Sequence, residues 1–157
     1  MVKIQLILLG KPKEDWILQG INHYRKLLKG MVELDTKIIQ PEKIAKSSDI
    51  LDIQGKEQNK ILRNLKSRSF LVVLDEKGKE LSSEELAYFL RNEMNRGHSD
   101  FAFVIGSSSG LSEEIKKMSD FKLSLSKMTF AHQLSWIVLL EQIYRAFSII
   151  KGTKYHK

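Results

Sequence analysis

The chain contains no cysteine, which removes disulfides, thiolate nucleophiles and cysteine-ligated zinc together and fits a reducing compartment. Histidine is also scarce: His23, His98, His132 and His156 are too scattered to read as a metal cluster, so no metal is expected. Long apolar runs are missing as well. The opening "VKIQLILLG" is too short and wrongly flanked for a secretory signal or a membrane span, and elsewhere no apolar run is longer than that of "WIVLL" at 136 to 140. A cytoplasmic protein with no membrane association is expected. Neither G-x-x-x-x-G-K-[ST] nor G-x-G-x-x-G occurs, so a nucleoside triphosphatase or a dinucleotide enzyme would lack its usual phosphate-binding signature. There is no internal repeat and no low-complexity segment.

What is present is an alternation of strand-length apolar runs with longer helical ones. In 157 residues this predicts one α/β domain, spanning 1–157, with a mainly parallel sheet covered by helices. Strands are expected at about 2–9, 32–39, 70–75, 101–105 and 121–125, and helices at about 13–29, 44–66, 82–96, 112–119 and 133–151. "FLVVLD" and "FAFVIG" show almost no polar alternation, as strands do when helices cover both faces, and should be central. Ser82 and Glu85 have the spacing of a capping box; Gly97 and Gly152 stand where left-handed helix ends are cheapest; Pro41 separates a strand from the next helix. Gly55 interrupts a helical pattern, and a mobile loop is expected near it.

Three polar connections should lie at the carboxyl ends of strands: "DEKGKE" at 75–80, "GSSSG" at 106–110 and "SLSKMTFAH" at 124–132. Open α/β sheets bind ligands in the crevice beyond those ends, where free backbone groups converge. The glycine–serine run reads equally as a small-ligand cradle or as a flexible turn. His132 reads first as a satisfied histidine at a helix start. Glu141 and Arg145, four apart, are the only charges between His132 and Lys151. Such a pair is ordinarily a surface salt bridge, but a lone guanidinium in an apolar helix also suits a carboxylate, a phosphate or a bound base. The tail "GTKYHK" is either frayed or folded back on a pocket. The net charge of +7 permits an RNA partner without identifying one.

Taken together, "FVIGSSSGL", "SLSKMTFAH", "LLEQIYRAFSIIKG" and the terminal "YH" resemble the ribosomal RNA large subunit methyltransferase H family, a small branch of the SPOUT methyltransferases. The resemblance runs from "KIQLILLGK" and "HYRKLLK" to the final residues. It implies an α/β knot, in which the C-terminal segment threads through a loop, and a homodimer. It also implies a cofactor pocket for S-adenosylmethionine formed by Leu74, Gly106, Leu125, Ser126, Lys127, Met128, Thr129 and Phe130. The implied activity is methylation of N3 of a pseudouridine in large-subunit rRNA within the assembled ribosome, with Arg145 orienting the base and Tyr155 and His156 completing the catalytic site. This chain departs from the family pattern at Ser107, where glycine is usual and a bulkier residue should narrow the approach to the cofactor. It departs again at Ala131, usually proline, and at Trp136, often an arginine that contacts phosphate or the dimer partner. The competing readings are a non-enzymatic RNA- or ribosome-binding protein of the same fold, a SPOUT methyltransferase acting on another RNA such as tRNA, and, last, a Rossmann-type nucleotide enzyme.

Overall fold

A computed structural model describes residues 1–156. Along the chain run β1 (Lys3–Leu9), α1 (Asp15–Leu28), β2 (Glu33–Ile39), α2 (Ile50–Asn64), β3 (Phe70–Glu80), α3 (Ser83–Asn95), β4 (Asp100–Ile105), α4 (Glu113–Met118), β5 (Phe121–Ser124) and α5 (His132–Lys151). The strands form one sheet in the order β2-β1-β4-β3-β5, and all four neighbouring pairs are parallel. As expected from their continuous apolar character, β3 and β4 each have a strand on both sides; so does β1.

Each interior strand feeds two cores because successive side chains point to opposite faces. Leu6, Leu8, Phe101 and Phe103 pack with α1, α3 and α5, whereas Ile7, Leu9, Ala102 and Val104 pack with Ile61 of α2 and Ile115 of α4. On α5 the buried positions Trp136, Leu139, Leu140, Ile143, Ala146 and Phe147 recur at helical spacing and make one stripe, which lies against both α1 and α3. No helix among the described residues is long and apolar enough to cross a membrane.

The capping box at the start of α3 is formed: Glu85 N donates to Ser82 Oγ (3.1 Å) and Ser82 N donates to Glu85 Oε2 (2.7 Å). Such a cap contributes about 1 kcal/mol. Gly152 takes φ 70°, and the Gly152 and Thr153 amides donate to the Ile149 and Ser148 carbonyls (3.1 and 2.9 Å), a terminator that turns the tail back along α5.

Three sequence expectations are corrected. The second helix begins at Ile50 rather than 44, because Ser48 Oγ takes the Ala45 amide (2.7 Å) into a turn and Asp49 then caps the helix through the Leu51 amide (3.0 Å). Gly55 lies inside α2, with open space where a Cβ would stand, and is not a loop residue. Residues 75–80 are not simply a connection: β3 continues to Glu80, with a register shift in which Leu74 and Lys79 both face Leu123. The residues between them bulge outward. Gly78 permits the bulge, since a Cβ there would stand 2.8 Å from the Lys122 carbonyl group.

Candidate functional site

At the carboxyl ends of β3, β4 and β5 lies a cavity of about 600 Å³. Leu74 just before the β3 bulge, Ile105 at the end of β4 and Leu123 next to the end of β5 lie beneath it, and Leu111 adds a fourth apolar wall. Its polar rim comes from the β3 bulge, from the turn between β4 and α4, and from residues 124–130. All eight residues named for the cofactor, Leu74, Gly106, Leu125, Ser126, Lys127, Met128, Thr129 and Phe130, line this one cavity.

Local chemistry shapes that rim. Ser124 Oγ donates to the Ser126 carbonyl (3.2 Å) and the Met128 amide donates to Ser126 Oγ (2.9 Å), so two of the hydroxyls in "SLSKMTFAH" hold the connection in a turn. Gly106 has no room for a side chain: a Cβ would meet Leu111 Cγ at 2.9 Å and the Gly110 carbonyl carbon at 3.2 Å. Backbone can therefore approach a ligand at Gly106 more closely than any larger residue would allow.

His132 opens α5 and donates from Nε2 to the Leu9 carbonyl (2.8 Å), while the side chain of Gln133 bonds the Lys11 carbonyl (2.5 Å) and the Lys13 amide (3.0 Å). The start of α5 is thereby tied to the end of β1. His132 is the satisfied histidine expected from the sequence, and it also forms part of the cavity wall.

A second cavity of about 450 Å³, lined by Gly10, Lys11, Trp16 and Pro41 among others, adjoins the first and shares Ser107, Ser108 and His132 with it. A larger cavity, about 750 Å³, lies elsewhere, between α3, α5, the end of β3 and the start of β5. It carries no glycine–serine turn and none of the eight residues named for the cofactor, so size alone does not identify the site.

Arg145, Tyr155 and His156 do come together, but none of them lines the first cavity of their own chain. Arg145 donates from Nε (3.1 Å) and Nη2 (2.8 Å) to Glu141 Oε1, which also accepts from the Tyr155 hydroxyl (2.8 Å). The guanidinium stacks on the Tyr155 ring at 4.6 Å. Arg145 Nη1 lies 3.1 Å from His156 Nδ1, and His156 Nε2 lies 2.7 Å from Glu84 Oε1. Since a guanidinium only donates, Nδ1 is the acceptor and the ring proton sits on Nε2, facing Glu84.

Burial, and then the bond to Glu141, push the Tyr155 phenol above its ordinary value, so it stays protonated at neutral pH and acts as a donor rather than a base. The Glu141 bond likewise raises Arg145 and keeps it cationic. The tail is folded back rather than frayed; Lys157, its last residue, lies outside the described residues.

Glu84 is held below its ordinary value, chiefly by its hydrogen bond with His156. A carboxyl depressed in this way favours the docked tail above the ordinary carboxylate range and loses that contribution as pH falls through its folded value. The protection factors of the amides of residues 153–156, exchange relative to the unstructured chain at the same pH, are therefore expected to be higher at neutral pH than at about pH 3. Equal protection at both would remove the Glu84 contact from the account of tail docking.

Sequence reasoning did not single out Glu84 or Glu57, which carry no signal beyond being acidic residues in helical runs. Asp75 and Glu76 lie in a quoted connection and prove to line the cavity, with Asp75 Oδ2 at 3.8 Å from Lys116 Nζ. Among the described residues no group of three or more His, Cys, Asp or Glu is arranged to hold a metal ion.

The family model described as "Predicted SPOUT methyltransferase" matches residues 2–156. The ribosomal RNA large subunit methyltransferase H of Halothermothrix orenii is 42% identical over 159 residues, covering 99% of this chain and 100% of that protein. The protein of the same name from a Clostridium botulinum strain is 46% identical with the same coverage. That of Caldicellulosiruptor bescii is 45% identical over 154 residues, covering 98% of this chain and 99% of its own. A family match over nearly every residue, relatives matched from end to end and an all-parallel sheet with a cavity at its carboxyl edge lead to one assignment: the chain belongs to the SPOUT methyltransferases, in the branch of the ribosomal RNA large subunit methyltransferase H proteins.

Proposed function

We propose that the chain, acting over 1–157 as one domain, transfers a methyl group from S-adenosylmethionine to N3 of a pseudouridine in large-subunit rRNA, working in the cytoplasm on the assembled ribosome. The observation that carries this reading is the convergence of Leu74, Gly106 and residues 125–130 on one cavity in a SPOUT chain. The donor set fits the cofactor. About 600 Å³ suits a ligand of that size, the leucine and isoleucine walls suit an adenine ring, and the serines with the open backbone at Gly106 suit its polar ends. When bound there, S-adenosylmethionine supplies an electrophilic methyl on a sulfonium, leaving the protein chiefly to align the acceptor and exclude water.

N3 must give its proton to solvent as it bonds to the methyl carbon. Arg145 would orient the base and stabilise the negative charge that deprotonation leaves on it. Glu141 holds the guanidinium along one edge, the Tyr155 ring stacks on its face, and His156 accepts from Nη1. Because this cluster does not line the cavity of its own chain, we place it against the cavity of a second copy in a homodimer, with 124–132 forming part of the knot. The net charge of +7 supports a polyanionic partner.

Calorimetric titration with S-adenosylmethionine is expected to show one site per chain, and ribosomes lacking the modification should accept methyl where free rRNA does not. RNA association without cofactor binding would favour the ribosome-binding alternative, and transfer to tRNA would move the substrate assignment.

A further inference from the structure

The turn that separates the two adjoining cavities is held from behind by a side chain that lines neither of them. Glu57, on α2, is only 2% exposed, and burying a carboxyl group there requires partners. It has two: Ser107 Oγ donates to Oε1 at 2.6 Å, and the Glu42 amide donates to Oε2 at 2.9 Å. Ser107 Oγ in turn accepts the Ser109 amide at 3.2 Å. The neighbouring residues of the same α2 face act alike: Gln54 Nε2 donates to the Ser109 carbonyl (2.8 Å), and Gln58 Nε2 donates to Glu114 Oε2 (3.0 Å) and meets the Ser112 hydroxyl through its oxygen. Positions 54, 57 and 58 share one side of a helix, so α2 presents a continuous polar edge to residues 107–114.

We infer that Glu57 is a positioning residue, acting through the Ser107 hydroxyl to hold the 106–110 turn at the distance the cofactor needs. The inference rests on the cofactor reading of that cavity and adds a residue outside it. It also reverses the expectation that Ser107 obstructs the site. The hydroxyl is engaged by α2 behind the turn, and Ser107 is not among the residues with positive φ, so nothing in the backbone calls for glycine there. Gly106 is trapped between that anchored turn and Leu111, and a turn released from Glu57 would carry Gly106 and Ser108 with it, changing both cavities at once.

The experiment is calorimetric titration with S-adenosylmethionine of the wild type, Ser107→Gly, Ser107→Ala, Ser107→Thr, Glu57→Gln and the Glu57→Gln/Ser107→Ala double variant, with thermal melting of each alongside. Ser107→Gly and Ser107→Ala are each expected to weaken binding on the order of tenfold, and Ser107→Thr, which keeps the hydroxyl, to restore most of it. The double variant should bind no more weakly than the weaker of its two parents, since both changes break one link. In steady-state assays of the single variants, the KM for the cofactor should rise by a larger factor than kcat falls. A merely structural role would lower melting temperature without the threonine rescue of affinity or the non-additivity. Binding by Ser107→Gly as tight as, or tighter than, the wild type would overturn the inference while leaving the cofactor reading intact. No binding by the wild type would overturn that reading and the inference with it.

Discussion

Replacement of Arg145 by alanine is expected to lower methyl transfer by about 10²–10³-fold or more while leaving S-adenosylmethionine affinity within about twofold of the wild type. The two effects separate because of where the residue sits. Arg145 does not line the cavity at the strand ends, so cofactor affinity has no direct dependence on it. Its guanidinium is nonetheless preorganised: Glu141 takes two of its N–H groups, the Tyr155 ring stacks on its face, and His156 receives a third N–H. A cation held in this way spends little ordering energy when the base arrives. Arg145→Lys keeps the charge but loses the planar fork, and should recover only a small part of the rate. Single-turnover transfer to ribosomes lacking the modification, with the cofactor titrated in parallel, reads both quantities. Undiminished turnover by Arg145→Ala would take the residue out of the mechanism, and loss of cofactor binding would mean that its effect is structural.

The second large effect concerns stability. Trp136 is fully buried on the core side of α5, and its ring presses on Gly10, where a Cβ would stand 2.7 Å from Cζ2. It also meets His132 edge to face at 5.6 Å. Trp136→Ala should cost about 3–5 kcal/mol, a fall of roughly 6–20 °C in Tm, because the backbone of β1 and α5 cannot close over so large a void. Damage should reach the site as well, through the His132 bond to Leu9 and the cavity wall that His132 and Ser135 form. The indole Nε1 has no hydrogen-bond partner among the described residues, so Trp136→Phe should be much milder, at about 1–2 kcal/mol. Denaturant melts of the two variants measure this. A loss below about 1 kcal/mol in Trp136→Ala would show that the β1–α5 junction repacks freely.

Trp136 also illustrates how far the sequence could be read. Its place in an apolar helix was plain, and its departure from the family's arginine suggested a missing phosphate or dimer contact. What the residue does instead, filling the space above Gly10, depends on two positions 126 residues apart being brought together, and no local pattern encodes that. The strands were legible to within a residue or two at most ends because burial on both faces leaves continuous apolar runs. Ile44 and Ala45 extend the apolar pattern of the second helix beyond its actual start, because the Ser48 and Asp49 side chains compete there for the backbone amides. The polar run "DEKGKE" reads as a loop, and only the pairing of Leu74 and Lys79 with the same Leu123 reveals a strand that resumes.

The sequence by itself determined the α/β alternation, the helix caps and which three polar segments border the cavity, because these follow from local periodicity and from side chains bonding to nearby backbone. Recognition of motifs added the SPOUT assignment, which the family match and the relatives bear out. Only the tertiary structure decided the strand order, the folding of the tail onto Arg145 and the attachment of the 106–110 turn to Glu57, 50 residues earlier. Each of these is a pairing between positions far apart in the chain, of backbone groups between strands or of a hydroxyl, carboxyl or guanidinium with a distant partner. A residue's type states what it can bond; the fold alone states what is left within reach.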